Sequence, residues 1–71
     1  MTSRMYHTLL ARDGRNAPWK IEFGDYSRAT VEAERRYYRD QGYKAASLKI
    51  ITTGDTQAEI NAAVDKLNAG E

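Results

Sequence analysis

The most regular pattern of apolar and polar positions runs through the middle of the chain, from Ser27 to Gly42. Ser27 can cap the start of a helix with its hydroxyl, and Gly42 can end one in the left-handed conformation. Placed at about 100° per residue, the intervening residues divide into an apolar stripe and a charged face, which predicts an amphipathic helix over residues 28–41. The stripe consists of Thr30, Val31, Ala33, Tyr37, Tyr38 and Gln41, and the charged face of Arg28, Glu32, Arg35, Arg36, Arg39 and Asp40.

Two stretches before this helix have the pattern of β-strands. Residues 5–12 mix aromatic, β-branched and aliphatic side chains, which predicts a strand. Because both of its alternating rows are partly apolar, we expect this strand to be covered on both sides. Residues 19–23 alternate strictly, which predicts a second strand with one buried face, joined to the first as a hairpin. Its apolar row is Trp19, Ile21 and Phe23, and its charged row is Lys20 and Glu22.

The rest of the chain predicts one more strand and one more helix. Alternation over residues 45–52 is typical of a strand, and Gly54 ends it. Thr56, with Glu59 three residues later, forms a capping box, which predicts a helix over residues 57–68. Its apolar residues at helical spacing are Ile60, Ala63, Val64 and Leu67.

The predicted order of elements is β-β-α-β-α, in a single domain over residues 1–71. A hairpin followed by a right-handed crossover brings the third strand beside the first. We therefore predict a three-stranded antiparallel sheet in the order 2-1-3. Both helices are expected on one face of this sheet, which makes a two-layer α+β fold. The opposite face would then stay open and carry Lys20, Glu22, Ser47 and Lys49.

The core that this sequence can build is small. Leu, Ile, Val and Phe supply 11 of the 71 residues, below the roughly 20% level associated with disorder. The net charge of +1, the five tyrosines and Trp19 nevertheless favour a folded chain, because aromatic side chains bury large areas. A small core makes association an effective source of stability. We therefore expect the open sheet face or a sheet edge to bind protein, either a second copy or another partner.

The residues that usually carry chemistry form no constellation. The chain has no cysteine, which excludes thiolate nucleophiles and cysteine-based metal sites, and the single histidine, His7, cannot anchor a zinc site alone. Glu34 lies within the apolar stripe of the central helix, where a carboxylate is costly unless it is paired. It either lies at the margin of the stripe, reaches a partner, or serves as a general acid or base. Since no second titrating group can be placed beside Glu34, we predict no catalytic residue, no cofactor and no metal.

Positive charge is concentrated in the first part of the chain, where residues 1–44 hold nine Lys or Arg and six Asp or Glu. The candidate nucleic-acid-binding residues are therefore the arginines of the helix, whose charges could neutralise phosphates or another acidic partner. Alternatively, the face is laced by its own salt bridges, because its acids stand three or four residues from its arginines. A sequence pI of about 8.0 is below the value above about 9 that marks dedicated nucleic-acid domains. The four candidates are Arg28, Arg35, Arg36 and Arg39.

The sequence has no stretch of about 20 apolar residues that could span a membrane and no apolar signal-peptide core near its start. We expect a soluble, cytoplasmic protein with no membrane partner.

The run WKIEFGDYSR, followed by VEAER, the Tyr- and Arg-rich helix and LKIITT, resembles small uncharacterised proteins of phage and prophage type. The resemblance covers about residues 5–53 and implies a small accessory protein from a mobile element, without implying an activity or a site. Taken with the residues themselves, it favours a non-enzymatic protein-interaction module. A nucleic-acid-binding module that uses the arginine face is the alternative.

Overall fold

Three strands and two α-helices follow one another in the predicted order. The computed structural model describes residues 4–70. A short 3₁₀ turn precedes the third strand, so that strand begins and ends later than predicted. The elements are β1 (Met5–Ala11), β2 (Lys20–Asp25), α1 (Arg28–Asp40), the 3₁₀ turn (Ala45–Ser47), β3 (Leu48–Gly54) and α2 (Gln57–Asn68).

The sheet is antiparallel and has the order β2-β1-β3, which confirms the predicted α+β class and strand order. β1 lies in the centre and pairs with both neighbours. Its register with β3 is continuous, from Met5 opposite Gly54 to Ala11 opposite Leu48. The two outer strands therefore each have one edge that pairs with no other strand of the described chain.

Both helices begin at the residues that the capping signals predict. The Ser27 hydroxyl accepts from the Thr30 backbone N–H at 3.3 Å, and the Thr56 hydroxyl accepts from the Glu59 backbone N–H at 3.2 Å. Gly42 follows α1 with a φ of 110°, a conformation that glycine adopts without a Cβ clash. Local interactions thus set the start of both helices and the end of α1.

One face of the sheet packs against α1. The buried cluster on this face joins Val31 of α1 to Leu9, Ala11 and Leu48 of the sheet. Burial of these side chains is the main stabilising contribution on this side, since apolar surface is removed from water. Partly buried residues that pack against the cluster are Phe23, Tyr38, Tyr43 and Ile50.

The other face of the sheet is also covered. Leu9 and its neighbour Leu10 both have 0% exposure, although successive strand residues point to opposite faces. α2 lines a trough together with Ile51 and Thr53 of β3, and the register places these two residues on the same face as Leu10, so α2 supplies the cover on the Leu10 side. The prediction of two layers with both helices on one face is therefore wrong, and the molecule has three layers, with the sheet between α1 and α2. The predicted open sheet face is wrong for the same reason.

A β-bulge in the hairpin alters the faces of β2. Leu9 pairs with Phe23, but Leu10 pairs with Ile21, so Glu22 is an extra residue opposite the step between the two leucines. Cross-strand partners share a face. Phe23 therefore joins the α1 side, whereas Ile21 lies on the α2 side and remains 45% exposed. The prediction that Trp19, Ile21 and Phe23 share one face is wrong because an extra residue reverses the alternation.

Candidate binding surface at the β3 edge

The arginines of α1 lie along a groove beside β3. α1 packs mainly on β1 and β2, which leaves the α1 side of β3 only partly covered. The resulting groove has a volume of about 560 Å³. We call it the arginine groove. It is lined by Arg28, Glu32, Arg35, Arg36 and Arg39 from α1 and by Leu48, Lys49 and Ile50 from β3.

All four arginines singled out from the sequence therefore line one groove. This follows from their spacing, because three of them recur every seven or four residues and project from a narrow stripe of the helix. From the first to the last, they span about 16 Å at a rise of 1.5 Å per residue. The groove thus presents an extended row of guanidinium groups, consisting of Arg28, Arg35, Arg36 and Arg39.

The internal salt bridges of this face are fewer than its spacing allows. Within residues 4–70 one ion pair forms, from Arg28 Nε to Glu32 Oε2 at 2.9 Å. Both side chains are more than half exposed, so the pair contributes little to stability. Of the salt bridges that the spacing allows on this face, the described residues form the Arg28–Glu32 pair alone. Arg35, Arg36 and Arg39 remain available to an anionic group that enters the groove.

The outer edge of β3 borders this groove. The Arg12 backbone N–H donates to the Ser47 carbonyl at 3.0 Å, which makes these residues a hydrogen-bonded pair. Hydrogen-bonded and non-hydrogen-bonded pairs alternate in an antiparallel ladder. Counting along the register, Leu48, Ile50 and Thr52 are the residues whose N–H and C=O groups point away from β1, towards the open edge.

An apolar trough lies on the opposite side of the same strand. It has a volume of about 370 Å³ and runs between β3 and α2. Ile51 and Thr53 contribute to it from the strand, and Ala63 and Leu67 contribute from the helix. The aliphatic part of Lys66 and the edge residue Thr52 complete its border. The β3 edge therefore has a basic groove on its α1 side and an apolar trough on its α2 side.

Arg12, although basic, belongs to another part of the molecule. Its guanidinium donates to the carbonyls of Arg15 and Ala46, both at 3.2 Å, and stacks over the Trp19 ring at 4.3 Å from the centroid. The Trp19 backbone N–H donates to Asn68 Oδ1 at 2.7 Å. These contacts tie the hairpin loop to the end of α2, so Arg12 stabilises the loop and does not extend the arginine groove.

The titratable residues that sequence reasoning singled out lie outside the groove. His7 Nδ1 is 2.9 Å from the Thr52 hydroxyl, and no group of three His, Asp or Glu side chains suited to a metal occurs within residues 4–70. Glu34 is half-buried, on the helix side that carries buried Val31 and half-buried Tyr38. Burial raises the pKa of Tyr38, and its hydrogen bond to Glu22 and the negative charges of Glu22 and Glu34 raise that pKa further.

Sequence reasoning missed two features of this surface. The sequence pattern predicts that the arginines share one helix face, but it does not predict that this face lies beside β3. No local sequence pattern indicates which strands of a sheet a helix packs on. Sequence reasoning also missed the apolar trough, since that trough exists only because α2 packs on the second face. In the described part of the chain, no helix is long and apolar enough to cross a membrane.

Comparison of the chain with models of known protein families, with curated proteins and with solved structures finds no match.

Proposed function

We propose that this chain is a small non-enzymatic protein-interaction module that binds an acidic segment of a partner protein along the arginine groove. The observation that carries the proposal is the groove itself, in which four arginines face β3 and one is engaged by an acid of the chain. Guanidinium groups bind carboxylates through paired, charge-assisted hydrogen bonds. An accessory protein of a mobile element, as the sequence resemblance implies, would act through such a contact.

The apolar content of the groove supports a protein partner. Ile50 is half-buried at its base, so a ligand there meets apolar surface as well as charge. The residues that line the groove include no aromatic side chain, whereas binders of single-stranded nucleic acid stack bases on aromatic rings. A partner with both carboxylate and aliphatic side chains matches this combination.

Selection from a displayed library of random 12-residue peptides tests the proposal. The wild-type chain should enrich acidic peptides, and the variant Arg35→Gln/Arg39→Gln should not. The variant Arg15→Gln/Lys44→Gln is the matched control, because it also loses two positive charges but leaves the groove intact. Circular dichroism establishes that all three proteins are folded. Equal enrichment by both variants, or no acidic peptide enriched by the wild type, would overturn the proposal.

A nucleic-acid-binding module is the second candidate, and the observation that favours it is the 11-residue separation of Arg28 and Arg39 along one groove. Such a row could follow a phosphate backbone. Binding of duplex DNA, single-stranded DNA and RNA at about 50 mM salt, followed by salt titration, tests this candidate. Affinity that falls linearly with the logarithm of salt concentration, and that is lost in Arg35→Gln/Arg39→Gln but kept in Arg15→Gln/Lys44→Gln, would favour it over a protein partner.

A further inference from the structure

We infer that the acidic partner segment binds as an added β-strand on the outer edge of β3, with acidic and apolar side chains in alternation. The inference rests on the proposed function and names the conformation and side-chain pattern of the ligand. It combines three features that meet at one strand: the open edge, the arginine groove and the apolar trough. Addition of a strand to a sheet edge is an established way for a protein to bind an extended peptide.

Of the two outer strands, β3 is the better template. β2 contains the bulge at Glu22, and bulges twist an edge and interrupt further pairing. β3 has seven residues and an unbroken register with β1. Its outward N–H and C=O groups at Leu48, Ile50 and Thr52 therefore form a regular row that another strand can pair with.

The two sides of β3 specify the side chains of the added strand. Directly opposed residues on paired strands share a face. Residues opposite Leu48, Ile50 and Thr52 would lie on the α1 side, beside the arginine groove, where carboxylates are favoured by charge complementarity. Residues opposite Ile51 and Thr53 would lie on the α2 side, beside the trough, where apolar side chains are favoured. The ligand pattern is thus period-two, as expected for a strand with two different environments.

A second copy of this chain fits the edge less well. Antiparallel pairing of β3 with β3 of another copy would bring two arginine grooves together on one face of the joined sheet, where like charges repel. Pairing with β2 of another copy would place Glu22 of that copy near the arginine groove. The Glu22 carboxylate, however, already accepts a hydrogen bond from the Tyr38 hydroxyl of its own chain at 3.2 Å. A separate acidic segment meets neither obstacle.

Two synthetic peptides of equal composition test the inference. The first alternates Glu and Val over seven residues, and the second has the same residues grouped as four Glu followed by three Val. The alternating peptide should bind at least about tenfold more tightly, a difference of 1.4 kcal/mol. It should also slow hydrogen exchange at the amides of Ile50 and Thr52. N-methylation of the peptide amides that face β3 should abolish the advantage.

Two variants at Thr52 examine the edge on the protein side. Proline is tolerated on an edge strand where the N–H points outward, so Thr52→Pro removes one edge donor without breaking the β1–β3 ladder. Thr52→Val removes the hydroxyl but keeps the donor, and it is the matched control. Thr52→Pro should reduce affinity for the alternating peptide, and Thr52→Val should not. The N-methylated peptide gives the same test on unaltered protein if Thr52→Pro does not fold.

The possible outcomes separate the inference from the proposed function. If both peptides bind equally and the Ile50 amide exchanges at an unchanged rate, the groove binds acidic residues without strand addition, and the inference alone is overturned. If neither peptide binds but duplex DNA does, both the inference and the protein-partner proposal are overturned. If sedimentation shows a dimer that the peptide does not dissociate, a second copy occupies the edge and the inference is overturned.

Discussion

Leu10 distinguishes a three-layer fold from a two-layer fold in one measurement. Its side chain has 0% exposure and lies on the face opposite Leu9, under α2. Replacing a fully buried leucine by alanine removes its transfer free energy and leaves a cavity, which together cost about 2–5 kcal/mol. A chain of this length has a total stability of roughly 4–10 kcal/mol, at 0.05–0.15 kcal/mol per residue. Leu10→Ala should therefore remove a large part of the free energy of unfolding.

Urea denaturation at low temperature, where a weakened variant still has a folded baseline, measures the change. Leu10→Ala should lower the denaturation midpoint as strongly as Leu9→Ala does, with a similar dependence of stability on urea. Ile21→Ala is the matched control on the same face, because Ile21 is 45% exposed and should lose clearly less. A loss below about 0.5 kcal/mol for Leu10→Ala, the range of surface substitutions, would refute the placement of α2.

Three further changes test the α2 cap, the Tyr38 environment and the groove. Thr56→Ala removes the hydroxyl that caps α2 and should cost about 0.5–2 kcal/mol in urea denaturation; a loss confined to experimental error would contradict the cap. The pKa of Tyr38 is raised above 10.0 in the folded chain, so the contribution of Tyr38 to the free energy of unfolding is complete below pH 10.0 and is lost as the pH rises through the folded-state pKa. Tyr38→Phe should therefore flatten the fall in melting temperature at alkaline pH. Parallel curves of melting temperature against pH for the two proteins would contradict the raised pKa. If duplex DNA binds, Arg39→Gln should reduce the slope of log affinity against log salt by about one, whereas Lys44→Gln should leave it unchanged.

The sequence predicts the elements and their order well because the signals for these features are local. Ser27 and Thr56 each cap a helix from a position that side-chain chemistry alone identifies. Central β1 carries apolar residues in both rows, and this pattern correctly indicated cover on both faces. The same observation contradicts a two-layer arrangement, since Leu9 and Leu10 cannot both be buried under helices that share one face.

The bulge at Glu22 and the position of α2 could not be predicted because they depend on pairing between distant residues. Alternation in residues 19–23 is the same whether or not β2 carries an extra residue opposite β1. The spacing of Ile60 and Val64 predicts which side of α2 is buried, but it does not indicate on which face of the sheet α2 packs. The arginines were predicted as a set for the opposite reason, because helical spacing alone gathers them.

The partly uncovered α1 side of β3 follows from the width of α1 relative to the sheet. A helix with its side chains is about 10–12 Å across, and neighbouring strands are about 4.8 Å apart, so one helix covers roughly two strands of a three-stranded sheet. α1 lies mainly over β1 and β2, and this displacement leaves the α1 side of β3 to the arginines. The candidate binding surface is therefore a consequence of where the helix packs, and this is why its test requires edge variants as well as arginine variants.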